Sequence, residues 1–137
     1  MIVYTDSLEG IAPDQLQGFF VGWPNPPDAA THLKLLHGSY RVILALDGRQ
    51  VVGFINAISD GVLTAYIPLL EVLPSHQRQG IGRELVRCML AMLGGLYAID
   101  LLCDMELQTF YAQFEMRPAQ GMMMRNYARQ SGAQAEK

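Results

Sequence analysis

Gln77-Arg78-Gln79-Gly80-Ile81-Gly82 follows an apolar stretch ending at Pro74 and precedes an amphipathic one. Two glycines bracketing Ile81 at a strand-to-helix junction leave backbone N–H groups without carbonyl partners and set a helix N-terminus over the same small volume. Arg78 adds positive charge there, and Arg83 and Arg87 follow closely. Such a cradle suits a phosphate or pyrophosphate. Two commoner phosphate signatures fail. A dinucleotide fingerprint needs a third glycine where this chain has Leu85, and no Gly-Lys-Ser/Thr is present for a P-loop. A second residue with chemical potential is Glu71, set inside Ile67-Pro68-Leu69-Leu70-Glu71-Val72-Leu73. A carboxylate in such surroundings is costly to bury unless it is paired or functional. Three readings stay open: an ion pair with an arginine such as Arg125, an anchor for the substrate, or a base that takes a proton from it. Tyr66 and Asp100 compete for the last role.

These residues need a scaffold, and the pattern of the chain supplies one. A short strand at Ile2–Thr5 leads to a helix near Pro13–Phe20, and the proline-rich loop Gly22–Asp28 carries Trp23. A second helix spans Ala29–Leu36 and stops at Gly38. Tyr40–Leu46 and Val51–Ile58 read as strands joined by an Asp47-Gly48 hairpin, and Ser59-Asp60-Gly61 turns into a long strand over Ala65–Val72. Ile81, Leu85, Met89 and Leu93 make one stripe of a helix from Gly80 to Leu93, which Gly94-Gly95 ends. A strand over Tyr97–Cys103, a short helix at Glu106–Phe114 and a last strand near Met122–Tyr127 complete the order. Strand–helix–strand across the glycine motif implies a parallel pair with a right-handed crossover. Pro68 inside the long strand removes a ladder hydrogen bond, so the strand bulges or peels from its neighbour. The cleft this opens, with unpaired backbone groups, suits an extended ligand carrying amides. The fold class is mixed α/β (α+β), one sheet with helices on both faces.

At 137 residues, with 50% hydrophobic and 17% charged residues, the chain reads as one globular domain over residues 1–130, with a frayed tail over 131–137. A net charge of −3 disfavours nucleic acid as the main partner. MIVYTDSLEG lacks a basic leader with a long apolar core, and no apolar run reaches membrane-spanning length. Cys88 and Cys103 form no metal or redox spacing and read as reduced core residues, so the expected location is cytoplasmic, away from membranes. His32 and His37, five apart, do not face a common metal, and no metal site is expected. His76 reads as solvated. Met122–Met124 reads as core filling, or, where exposed, as a homodimer interface.

The chain resembles the GCN5-related N-acetyltransferase (GNAT) superfamily. The resemblance runs from the first strand to Tyr127. Gln77-Arg78-Gln79-Gly80-Ile81-Gly82 is similar to the family's Q/R-x-x-G-x-G/A motif, and Phe110-Tyr111-Ala112-Gln113-Phe114-Glu115-Met116-Arg117-Pro118 to its F-Y-x-x-x-G-F segment, with Glu115-Met116 in place of the usual Gly-Phe. The resemblance implies a mostly antiparallel sheet splayed at a central parallel pair, and acetyl-coenzyme A (acetyl-CoA) as co-substrate. It further implies that the backbone of Leu70, Glu71 and Val72 pairs with the pantetheine arm. Arg78, Gln79, Gly80, Ile81 and Gly82, with Arg83, would hold the pyrophosphate. Tyr111 would protonate the leaving thiolate, and its phenol, with a pKa near 10, is matched to that task. The bland alternative is a core aromatic beside Phe110 and Phe114. Asp104 stands where many relatives have an asparagine that contacts the coenzyme. Trp23 would wall the acceptor pocket or plug the core, and Tyr66 and Asp100 would lie near the acceptor.

The function this implies is direct transfer of acetyl from acetyl-CoA to a primary amine of a small molecule or peptide in a ternary complex. The alternative is a non-catalytic acyl-CoA-binding or regulatory domain on the same fold. A structural domain with no nucleotide ligand is the third reading.

Overall fold

In the computed structural model, which describes residues 1–133, five strands form one sheet in the order β1-β2-β3-β4-β5. They span Ile2–Thr5, Arg41–Asp47, Gln50–Ser59, Thr64–Val72 and Ala98–Asp100. β1 through β4 pair antiparallel, and β4 with β5 parallel. The β2–β3 hairpin closes on Gly48 at φ 61°, a left-handed position that glycine occupies without strain.

Val51 through Ala57 is buried without a break, which requires cover on both faces. On one face lies α2 (Ile81–Met92), whose Ile81, Leu85, Val86 and Met89 are all buried. Gly53 makes that seat possible: a Cβ there would come to 3.1 Å from Leu85 and 3.2 Å from Ile81. On the other face Phe54 meets Phe19, Phe20 and His32, the last on α1 (Ala29–His37). Asp28 caps α1 by accepting the Thr31 N–H at 2.8 Å.

Pro68 sits at a bulge. Asn56 faces Leu69 and Ile58 faces Tyr66, so Ala57 alone opposes both Ile67 and Pro68. A residue without an N–H is tolerated at such a point. Two residues before Pro68 the parallel ladder stops, its last partners being Tyr66 and Asp100. From there β4 continues with a bare edge, and this is the splay.

Several elements differ from the sequence reading. The helix near Pro13–Phe20 is only a 3-10 turn, Pro13–Gln15, because Gly18 (φ 93°) and Phe20 (φ 63°) turn left-handed. The strand over Tyr97–Cys103 is cut to Ala98–Asp100, since β4 no longer runs alongside it. The helix at Glu106–Phe114 is a 3-10 turn, Met105–Leu107, followed by α3 (Gln108–Ala112). No strand forms at Met122–Tyr127; the segment has no ladder partner, and the parallel pair therefore lies at the edge of the sheet. Met122 and Met124 are 98% and 93% exposed, so the methionine run does not fill the core. Of the expected tail, Ser131 to Ala133 are described and Gly132 lies against Thr31; residues 134–137 lie outside the described residues. No helix among the described residues is long and apolar enough to cross a membrane.

Candidate active site

The glycine motif forms the cradle its spacing predicts. Arg78 (φ 64°) and Gly80 (φ 81°) both adopt left-handed backbone, which turns successive N–H groups to one side. The first bond of α2 runs from the Glu84 N–H to the Gly80 carbonyl, and the N–H groups of Arg78 through Arg83 have no acceptor among the described residues. Arg87 is spoken for: its Nε donates to Glu84 Oε2 at 2.8 Å. Arg78 and Arg83 are exposed and make no ion pair among the described residues, so both face solvent at the cradle. His76 is not simply solvated; its Nε2 lies 2.8 Å from Asp47 Oδ2, which ties the loop to β2.

The bare edge of β4 leads to this cradle. The Leu73 N–H donates to Val52 O at 2.8 Å, which fixes the phase of the strand. By alternation Glu71 turns its backbone towards β3, while Leu70 and Val72 turn theirs to the open edge. The Val72 carbonyl accepts the Gln77 side-chain amide at 3.0 Å, and that bond folds the start of the motif back onto the strand.

Side chains complete a cleft of about 690 Å³, walled by β4 from Ile67 to Glu71, by Trp23, by Asp104 and Tyr111, and by Met123 and Arg125. Glu71 enters from the Phe54 side, yet it makes no ion pair with Arg125. Its Oε1 accepts the Phe20 N–H at 2.8 Å and its Oε2 the Val21 N–H at 3.3 Å. The left-handed turn at Phe20 thus has a reason: it aims two backbone donors at one carboxylate. Trp23 packs against Phe20 with ring centroids 4.8 Å apart, so it both covers that loop and lines the cleft.

Tyr111 is half-buried on α3, edge-on to Phe110 at 5.0 Å. Phe110 in turn reaches Gly82 at the start of α2, which couples the tyrosine to the cradle. Burial, and secondarily the nearby Cys103, push the Tyr111 phenol above its ordinary value, so it stays protonated at neutral pH. Cys103 itself is exposed in the cleft and is no core residue. Asp104 is exposed and its side chain caps nothing. Tyr66 does not line the cleft. Asp100 lines a separate groove of about 650 Å³ that also contains Tyr111. Thus Trp23, Glu71, Asp104 and Tyr111 are gathered, the nest of N–H groups adjoins them, and Tyr66 and Asp100 stand apart. Three-or-more clusters of metal-ligating side chains are absent among the described residues.

The model of the acetyltransferase (GNAT) family matches residues 8–115, most of the chain, including the glycine motif and the second motif as far as Glu115. The chain belongs to the GNAT family. A Deinococcus radiodurans R1 protein assigned as an acetyltransferase is 44% identical, with a TM-score of 0.94 over 98% of this chain and 94% of that one. A GNAT-family acetyltransferase of Streptococcus pneumoniae TIGR4 is 30% identical, with a TM-score of 0.75 over 92% and 98% of the two chains. The chloroplastic GCN5-related N-acetyltransferase 3 of Arabidopsis thaliana is 44% identical over 64 residues, which is 45% of this chain and only 27% of that protein.

Glu115, standing where the family's segment has glycine, takes φ 67°, so the left-handed turn after α3 persists without the residue that makes it easy. Sequence reasoning missed the Phe20 and Val21 backbone donors. Gly18 and Gly22, closely bracketing them, were the available signal for a tight turn rather than a helix.

Proposed function

We propose that this GNAT protein transfers acetyl from acetyl-CoA to a primary amine of a small molecule or peptide. One observation carries the reading: a bare strand edge runs into a nest of unpaired N–H groups, with a protonated tyrosine in the adjoining cleft. The residues fit the coenzyme. Leu70, through its N–H and carbonyl, and Val72, through the second lone pair of its carbonyl, offer edge hydrogen bonds to the amides of a pantetheine arm, as an added strand would receive them. Arg78 through Gly82 and Arg83 offer N–H groups and charge to a pyrophosphate. Asp104, in the same cleft, lies beside the path between them.

On the acceptor side, Glu71 accepts a proton from the incoming ammonium. Each of its oxygens receives one backbone bond and keeps a free lone pair. The neutral amine then attacks the thioester carbonyl, which an open-edge N–H of β4, that of Val72, polarises. As the C–N bond forms and the C–S bond breaks, Tyr111 gives its proton to the departing sulfur, and the second proton shed by the attacking nitrogen passes through water to restore the phenol. Holding both reactants in one cleft supplies much of the acceleration. Trp23 shapes the acceptor wall.

Tyr111→Phe tests this. Loss of the proton donor should lower kcat about 100-fold or more while the affinity for coenzyme A stays unchanged. Unchanged turnover removes the tyrosine from the chemistry. If the wild-type protein binds acetyl-CoA but acetylates no amine of a broad panel, the chain is an acyl-CoA-binding module.

A further inference from the structure

Residues after Pro118 cross the mouth of the cleft as a strap. Gly121 lies against Leu102, where a Cβ would come to 2.7 Å; farther on, the Gln130 side chain accepts the Asn25 N–H at 3.0 Å. Between these two anchors the chain runs without helix or strand as far as Asn126 and then makes a 3-10 turn at Tyr127–Arg129. Met123 and Arg125 line the cleft, whereas Met122 and Met124 are almost wholly exposed. An arginine thus lines the same cleft as Glu71.

Two opposite charges sharing one cleft would ordinarily pair, but these do not. Arg125 has no carboxylate within ion-pair distance among the described residues, and its one side-chain bond is Nη1 to the Met124 carbonyl at 3.3 Å. Glu71 is held away by the Phe20 and Val21 amides. The space between them is where, on the transfer reading proposed above, the acceptor sits. A ligand bridging it would set its ammonium towards Glu71 and an anionic group towards the guanidinium.

We infer that the acceptor is an amine that also carries a compact anion, such as the carboxylate of an amino acid or short peptide, and that Arg125 is the residue that selects it. This rests on the transfer reading.

The experiment compares matched acceptors with the wild-type protein, Arg125→Gln and Arg125→Lys. Amino acids and dipeptides are set against their C-terminal amides, and phosphoethanolamine against ethanolamine. Wild type should favour the anionic member of each pair at least tenfold in kcat/KM. Arg125→Gln should abolish that preference by raising the acceptor KM, with kcat and the acetyl-CoA KM within about threefold, and Arg125→Lys should restore part of it. Arg125 is exposed, and melting temperatures of the variants check that the strap is intact. Equal turnover of both members, or a loss that falls equally on both, overturns the assignment and leaves acetyl transfer standing. A rise in the acetyl-CoA KM instead of the acceptor KM places Arg125 on the coenzyme and also overturns it. Turnover of neither series removes the transfer reading and this inference together.

Discussion

His32→Leu is the substitution whose effect can be worked furthest from the structure. His32 is 1% exposed, and neither ring nitrogen has a hydrogen-bond partner among the described residues. Its neighbours are Phe54, Phe20 and Phe19, with ring centroids 4.4, 4.9 and 5.3 Å away. Burial in that apolar cage pushes its pKa down to about 4, whereas an unfolded chain titrates near 6.5. The depressed folded value sets the sign. Above pH 6.5 both states hold a neutral ring and the native state suffers no penalty. Between 6.5 and 4 the unfolded chain binds the proton first, so stability falls as pH falls. Linkage gives a loss of about 2 kcal/mol by pH 5 and about 3 kcal/mol by pH 4, both as upper magnitudes. Asp14, Asp28, Asp47, Asp60 and Glu84 are also held low, by hydrogen bonds made in the folded state, and they destabilise in the same direction on acidification. The variant keeps all of them, so subtraction isolates the histidine. Urea unfolding of both proteins at pH 7.5, 5 and 4 measures it. The wild type should lose more stability than His32→Leu by those amounts, and the variant should be at least as stable at pH 7.5, since it buries no unpaired nitrogen. Parallel curves for the two proteins would refute the reasoning.

Two further substitutions probe the scaffold. Gly53→Ala sets a methyl 3.1–3.4 Å from Leu85, Ile81 and the Glu71 carbonyl; thermal or urea unfolding should show a loss of about 1–3 kcal/mol, and displacement of α2 should weaken coenzyme A binding in calorimetry. Glu115→Gly relieves the left-handed turn after α3. The relief of about 1–2 kcal/mol is partly offset by the freer unfolded chain, so the net gain is about 0.5–1 kcal/mol, read as a melting temperature about 1–4 °C higher.

How much was legible in the sequence depended on whether a segment's shape was set locally. The Asp47-Gly48 hairpin, the α2 stripe from Ile81 to Leu93 and the nest of N–H groups at the glycine motif are fixed by residue type at close spacing, and all three stand in the structure. Pro68 was informative for the same reason, since a missing N–H is a local fact with a long-range result. The errors fell where a distant partner decides. Tyr97–Cys103 and Met122–Tyr127 carry apolar residues suited to strands, but a strand exists only where a neighbour runs beside it, and β4 peels away. The helix expected through Phe20 failed because a carboxylate on β4 draws the chain into a left-handed turn, a contact between residues about fifty positions apart. Glu71 stood out as a carboxylate that is paired or functional; its partners in the structure are backbone groups, which sequence patterns of side chains do not reveal.

The way Glu71 grips that loop bears on how the protein can change over evolutionary time. The carboxylate holds the N–H groups of Phe20 and Val21, which every amino acid except proline provides. Val21 and Trp23 present their side chains to the cleft from that pinned main chain. New side chains at those two positions would redraw that wall of the cleft while leaving the loop in register with β4. Recognition and registration are thus carried by different atoms of the same few residues. A lineage can retune one by ordinary point mutation without disturbing the other.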